Sequence, residues 1–227
     1  MSSTKRGGQR SEADAYATPA WCTTLALGSI PGLPPAGKWM DPCAGDGAII
    51  RAAGLVYPGI EWSACEIRSE AEERLSATGA KYTIGDFLSG TYKPDPVDVI
   101  FTNPPFRLAH EFVDKSLSLA KQVVMLLRLN FLGSESRAPF LRQYAPDVYV
   151  LPNRPSFVSG TTDSIEYAWF VWVSGRLAQS GQYRVLPSTP RSERRTTQPI
   201  QVVDWKPFSD PDSEDPYAGV SPYDEPK

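Results

Sequence analysis

The run Val97-Asp98-Val99-Ile100-Phe101-Thr102 leads directly into Asn103-Pro104-Pro105-Phe106, and this junction leaves the chain few options. The run is short and β-branched, with Pro94 and Pro96 on one side and two prolines on the other, which predicts a buried strand. Two consecutive prolines fix φ twice and remove two backbone donors, so the chain must leave the sheet there. A polar amide is thereby held on a stiff turn at the carboxyl end of a strand. Open α/β sheets place their ligands at that end.

The composition narrows the chemistry. His110 is the only histidine in 227 residues, which argues against Ser-His-Asp and Cys-His catalysis and against a multi-histidine metal site. Cys22, Cys43 and Cys65 are widely spaced and show no metal-ligand pattern, so a reduced, cytoplasmic setting is expected. The most apolar run, Val123 to Leu132, is interrupted by Arg128 and Asn130, and no membrane span is expected. The formal net charge of −3 and pI near 5.3 count against a nucleic-acid partner. The charge is uneven, however. From Asp204 onward seven acids face Lys206 and Lys227, a net −5, so with the whole chain at −3 the remainder stands at +2.

Ahead of the proline turn, Tyr16-Ala17-Thr18-Pro19 reads as a helix start, with Thr18 as N-cap and Pro19 at the first helical position. Lys38-Trp39-Met40-Asp41-Pro42-Cys43-Ala44-Gly45-Asp46-Gly47 reads as a strand breaking into a glycine turn before a helix from about Ala48. Glycines let the backbone pass close to a ligand, and a helix start offers free N–H groups. The spacing is neither the dinucleotide G-x-G-x-x-G nor a P-loop. Glu61 to Glu66 reads as the next parallel strand, ending in an acid about twenty residues past the glycine turn. That position suits a pair of ribose hydroxyls. Lys81 to Ile84 is a third strand, followed by Gly85-Asp86-Phe87.

Beyond Phe106, apolar spacing from Leu108 to Ala120 predicts a crossover helix, with His110 solvated near its start. Val123 to Leu127 is a strand from which Arg128 and Asn130 emerge near the cleft. A helix over Ser134 to Tyr144, a strand over 147–151 and a strand over 166–173 follow. Between the last two strands runs the longest loop of the body, 152–164, which contains Arg154 and Phe157. Residues 1–13 are expected to form a flexible arm, 14–175 the folded domain, and 176–227 a largely disordered tail with a short packed segment near 202–208. The alternation of strands and helices, ending in two consecutive strands, is that of an α/β sheet.

Asn-Pro-Pro-Phe after a strand, preceded by Asp41-Pro42-x-x-Gly45-x-Gly47, resembles motifs IV and I of the S-adenosyl-L-methionine (AdoMet)-dependent amino-methyltransferases, above all the DNA adenine-N6 enzymes. The order of the motif-like stretches resembles the gamma group of that family, over about residues 14–175. The resemblance implies a Rossmann-like, seven-stranded class I methyltransferase sheet with helices on both faces. It also implies AdoMet as cofactor and a flipped adenine in duplex DNA as substrate. Tyr16, Thr18, Pro19, Asp41, Ala44, Gly45 and Gly47 would hold the methionine half, Glu66 the ribose and Asp86 the adenine amino group. Phe87 would pack on that ring or belong to the core. Catalysis would fall to Asn103, Pro104, Pro105 and Phe106, with Asn103 also beside the cofactor. Phe157 would stack on the target base and Arg154 approach phosphate, or this loop is an ordinary hairpin connection with one buried aromatic.

No metal is implied, and a monomer is expected. The small size resembles orphan enzymes of phages and mobile elements. RNA adenine-N6 and protein glutamine-amide methyltransferases carry related turns, and a non-catalytic nucleic-acid binder is a further alternative. The glutamine enzymes usually carry Asn-Pro-Pro-Tyr, whereas this chain has Phe106.

Overall fold

Val97–Thr102 is a strand, β4, and every residue of it except Asp98 is buried. It lies in the middle of the sheet, and the rest of the architecture follows outward from it. The computed structural model describes residues 17–157, 165–174 and 181–194. The expected arm at 1–13, the packed segment near 202–208 and Tyr16 lie outside the described residues.

The strands before β4 are β1 (Ala36–Asp41), β2 (Gly59–Glu66) and β3 (Lys81–Ile84). Those after it are β5 (Ala120–Arg128), β6 (Asp147–Val150), β7 (Tyr167–Val173) and β8 (Tyr183–Val185). They form one sheet in the order β3-β2-β1-β4-β5-β7-β6-β8. β1 to β5 are mutually parallel; β7 runs antiparallel to both β5 and β6 and fills the space between them. The chain order reverses between β1 and β4, so a crevice opens at the carboxyl ends of these two strands.

Helices cover both faces, as expected. α1 (Ala20–Ser29), α2 (Ala48–Gly54) and α3 (Glu72–Ser76) pack on one side, and α4 (Ala109–Leu117) and α5 (Ala138–Gln143) on the other. Alternating residues of a strand point to opposite faces, and the sequence obeys this rule closely. Trp39, Val99 and Phe101 face α1 and α2, while Met40 and Ile100 face α4. The first layer is aromatic. Trp39 stacks on Phe101 at 5.8 Å, Phe101 meets Trp169 at 4.6 Å, and the Trp169 indole N–H donates to the Cys22 carbonyl of α1 at 3.1 Å. Removing one such buried ring typically costs about 3–5 kcal/mol.

Several expectations need correction. The sheet has eight strands rather than seven. The extra one, β8, lies in the stretch read as tail and pairs with β6. All three of its residues are exposed, so there was no burial alternation to read. The helix expected over 108–120 is shorter, because β5 already begins at Ala120. His110, expected to be solvated, packs edge-on against Phe140 of α5 at 4.8 Å. Thr18 does not cap α1. Pro19 is the cap residue, and its carbonyl accepts from Cys22 N–H. No helix among the described residues is long and apolar enough to cross a membrane.

Candidate active site

The carboxyl ends of β1, β2 and β4 bring Asp41, Glu66 and Asn103 to one crevice. Asp41 is 1% exposed at the tip of β1. Its Oδ1 accepts from the Thr102 hydroxyl at 2.6 Å and from the Cys43 N–H at 3.1 Å. Its Oδ2 is buried and accepts no hydrogen bond from the described residues. Burial pushes its pKa up to about 7; the Thr102 and Cys43 donors oppose the rise and the nearby Glu66 charge adds to it. Thr102 thus ties the strand before the glycine turn to the strand before the proline turn.

The glycine turn is built as its residues suggest. Gly45 sits at φ +56° and Gly47 at φ +83°, both in the region that favours glycine. A Cβ on Gly47 would overlap the Thr78 methyl. Ala44 is buried, and its N–H donates to the Cys65 carbonyl at 3.0 Å.

Glu66 is buried at the tip of β2, but protein donors engage both of its oxygens. Gly45 N–H donates to Oε2 at 2.7 Å, while the Arg68 N–H and Nε donate to Oε1 at 3.0 and 2.8 Å. A ligand diol would have to displace or share these contacts. Arg68 is a partner of Glu66 that no local sequence pattern announces.

Asp86 remains exposed, with one oxygen accepting the Leu88 N–H at 2.8 Å. Phe87, by contrast, is 2% exposed and stacked on Phe112 at 5.3 Å. The core reading of Phe87 is the one that matches its position, and the ring offers no free face to a ligand. Lys115 of α4 holds this loop from beneath, donating to the carbonyls of Phe87, Ser89 and Tyr92. No local pattern around Lys115 announces that role.

Asn103 follows β4 directly. Its Nδ2 donates to the Thr18 hydroxyl at 3.1 Å, and its Oδ1 is buried without a partner among the described residues. Pro104 is buried, Pro105 is exposed and Pro19 lies between. Phe106 is half-buried in an aromatic group. Phe157 stands edge-on to it at 6.3 Å, Tyr167 tilts against it at 5.4 Å, and the Arg128 guanidinium covers its ring at 4.7 Å. The aromatic ends of the proline turn and of the 152–157 loop are therefore neighbours. Residues 158–164 of that loop lie outside the described residues. Arg154 is paired with Glu166, both about half exposed, and the guanidinium holds the Glu166 carboxyl below its usual range. An exposed pair of this kind contributes little to stability. Among the described residues no group of three His, Cys, Asp or Glu side chains is arranged to hold a metal.

No protein-family model matches the chain, and neither does any curated protein. Solved structures do. An RNA methyltransferase from Pyrococcus horikoshii, itself described as putative, superposes with TM-score 0.53 at 19% identity, covering 76% of this chain and 94% of that one. An O-methyltransferase predicted from Agrobacterium tumefaciens gives 0.52 at 15%, covering 73% and 86%. The 23S rRNA methyltransferase ErmE gives 0.51 at 14%, covering 70% and 69%. At these identities the likeness is one of fold: this chain has the Rossmann-like methyltransferase fold.

Proposed function

We propose that this chain is an AdoMet-dependent methyltransferase acting on the exocyclic N6 of adenine in duplex DNA. The observation that carries the reading is the Asn103 Oδ1 atom. It is a buried acceptor without a partner among the described residues, on a proline-stiffened turn at the reversal point of the sheet. Leaving such an atom unsatisfied costs about 1–3 kcal/mol, which a donor on the substrate would recover.

The residues at the crevice fit the cofactor. The unpartnered Asp41 Oδ2 suits a cationic α-amino group, and the positive-φ turn at Gly45 and Gly47 allows close backbone approach. Tyr16, Pro19, Asp41, Ala44, Gly45 and Gly47 would hold its methionine end, Glu66 its ribose and Asp86 its adenine; the Thr18 hydroxyl, expected to join them, is engaged by Asn103 instead. The cofactor supplies a methyl group on a cationic sulfonium, whose leaving group is a neutral thioether.

The protein's own part is alignment and polarisation. The amine of adenine is conjugated with its ring, so its lone pair is a poor nucleophile. The Asn103 Oδ1 and the Pro104 carbonyl, as two acceptors, would draw both N6 hydrogens out of the ring plane and free that lone pair. The turn would fix both acceptors before the substrate arrives, and in-line transfer would then need mainly positioning. The proton leaves to water afterwards, so no histidine is required. Within a duplex N6 is out of reach, so the base must flip into the crevice. Phe106 and Phe157 would hold it by stacking, worth roughly 1–3 kcal/mol per base. Arg154 would approach phosphate after parting from Glu166.

RNA is the second reading, favoured by the names of two fold neighbours, the P. horikoshii protein and ErmE. The test is methyl transfer from radiolabelled AdoMet to unmethylated duplex DNA, to RNA and to a release-factor protein, by wild type and Asn103→Ala. The expected result is N6-methyladenine in DNA, reduced about a hundredfold or more in the variant. Label confined to RNA or protein overturns the DNA assignment. Absence of AdoMet binding by calorimetry overturns the whole reading.

A further inference from the structure

We propose that Thr18 is a positioning residue for catalysis. Its hydroxyl holds the Asn103 carboxamide with the oxygen toward the substrate amine. The inference rests on the proposed function and assigns to Thr18 a role different from cofactor binding.

A threonine before proline at a helix start ordinarily supplies a cap. Here α1 has no side-chain cap at Pro19, and the Thr18 hydroxyl is turned instead to Asn103 Nδ2, 3.1 Å away and 85 residues along the chain. The contact is sheltered, with Thr18 only 6% exposed. The acceptor is also stiff. A β-branched side chain has few χ1 states, and the following proline restricts the Thr18 backbone.

The orientation decides what Asn103 can do. A carboxamide turned by half a rotation would present its NH2 group where its oxygen now lies. Two N–H donors facing the N6 hydrogens would repel them and could not polarise the amine. In the observed rotamer the Thr18 oxygen accepts from Nδ2, which leaves Oδ1 as the open acceptor, and Oδ1 is the atom found buried without a partner among the described residues. An acceptor aligned before reaction needs no reorganisation during it.

The test compares wild type, Thr18→Val and Thr18→Ser as full-length protein. Valine keeps the shape and removes the acceptor, while serine keeps the hydroxyl. The first readout is hydrogen exchange of the Asn103 carboxamide protons by NMR, assigned through Asn103→Ala. Thr18→Val should accelerate that exchange about tenfold or more, and Thr18→Ser should restore protection. The second readout is single-turnover methylation of unmethylated duplex DNA at saturating AdoMet, alongside the AdoMet dissociation constant. Thr18→Val should slow transfer about tenfold or more while AdoMet affinity stays within about twofold, and Thr18→Ser should recover the rate.

Unchanged exchange in Thr18→Val overturns the contact. Unchanged rate, or weakened AdoMet binding with an unchanged saturated rate, overturns the positioning role. A wild type that transfers no label to DNA overturns the proposed function and this inference with it. Label from wild type and an indifferent Thr18→Val overturn this inference alone.

Discussion

Asp41 shows how one buried oxygen links stability to binding. Its folded pKa is raised to about 7 from an ordinary value of 3.8, chiefly by burial. Between those values the native state holds a proton that the unfolded state has released. The Asp41 contribution to stability should therefore be greatest below about pH 4, decline as pH rises to about 7, and then level off, with a total change on the order of a few kcal/mol. Asp41→Asn keeps an acceptor for Thr102 and Cys43 and removes the titration, so urea midpoints measured from pH 4 to 8 should lose this decline. If Asp41 Oδ2 receives the cofactor's cationic amino group, binding lowers the pKa and releases a proton near pH 6.5. Calorimetry in buffers of different ionisation enthalpy should detect that proton, and Asp41→Asn should abolish it. Gly47 poses a purely steric case. Its φ of +83° and the nearby methyl of Thr78, whose hydroxyl donates to the Leu75 carbonyl and accepts from the Ala80 N–H, leave no room for a side chain. Gly47→Ala should lower unfolding free energy by roughly 1–3 kcal/mol in denaturant titration.

Among the elements, α4 serves two turns at once. It starts just after the proline turn, and its Lys115 supplies donors to three carbonyls of the loop over 87–92, next to Asp86. The ammonium also lies 4.9 Å from the Phe87 ring centre. Lys115→Met keeps the apolar stem and removes all three hydrogen bonds, leaving those carbonyls to water or to nothing. The loop should then open more readily. Hydrogen exchange across 86–92 should quicken, and AdoMet should bind several-fold more weakly, with turnover at saturating cofactor little changed. A matching loss in turnover would instead tie α4 to the chemistry at Asn103.

For the whole molecule, the question is how the sheet ends. β6 would present an open edge if the chain stopped after β7. β8 covers it: Val148 N–H donates to the Gln182 carbonyl at 2.7 Å, and Leu186 N–H to Val150 at 2.9 Å. The Asp147 carboxylate accepts from Gln182 N–H at 2.7 Å. Uncovered strand edges pair with other chains. A protein truncated after Ser174 should melt several degrees lower and aggregate during purification, as sedimentation and thermal denaturation would show. Retained solubility and an unchanged midpoint would mean that β8 is dispensable.

What the sequence determined by itself is what short-range physics can encode. Prolines at 104 and 105 end β4 because they lack donors, glycines at 45 and 47 turn the chain because φ must be positive, and alternating apolar residues assign strand faces. These local rules made the α/β class legible, along with the Asp41, Glu66 and Asn103 positions at the strand ends. What only the tertiary structure decided is which groups meet across the chain. Thr18 reaching Asn103, Thr102 reaching Asp41, Lys115 reaching three carbonyls and Arg68 engaging Glu66 leave no periodic trace, since each needs only one suitable atom at the right place. Phe87 could be assigned to the core only once Phe112 was seen beneath it. β8 was hidden for the same reason: an exposed edge strand is selected by the backbone donors and acceptors of its neighbour, and side-chain pattern carries no record of them.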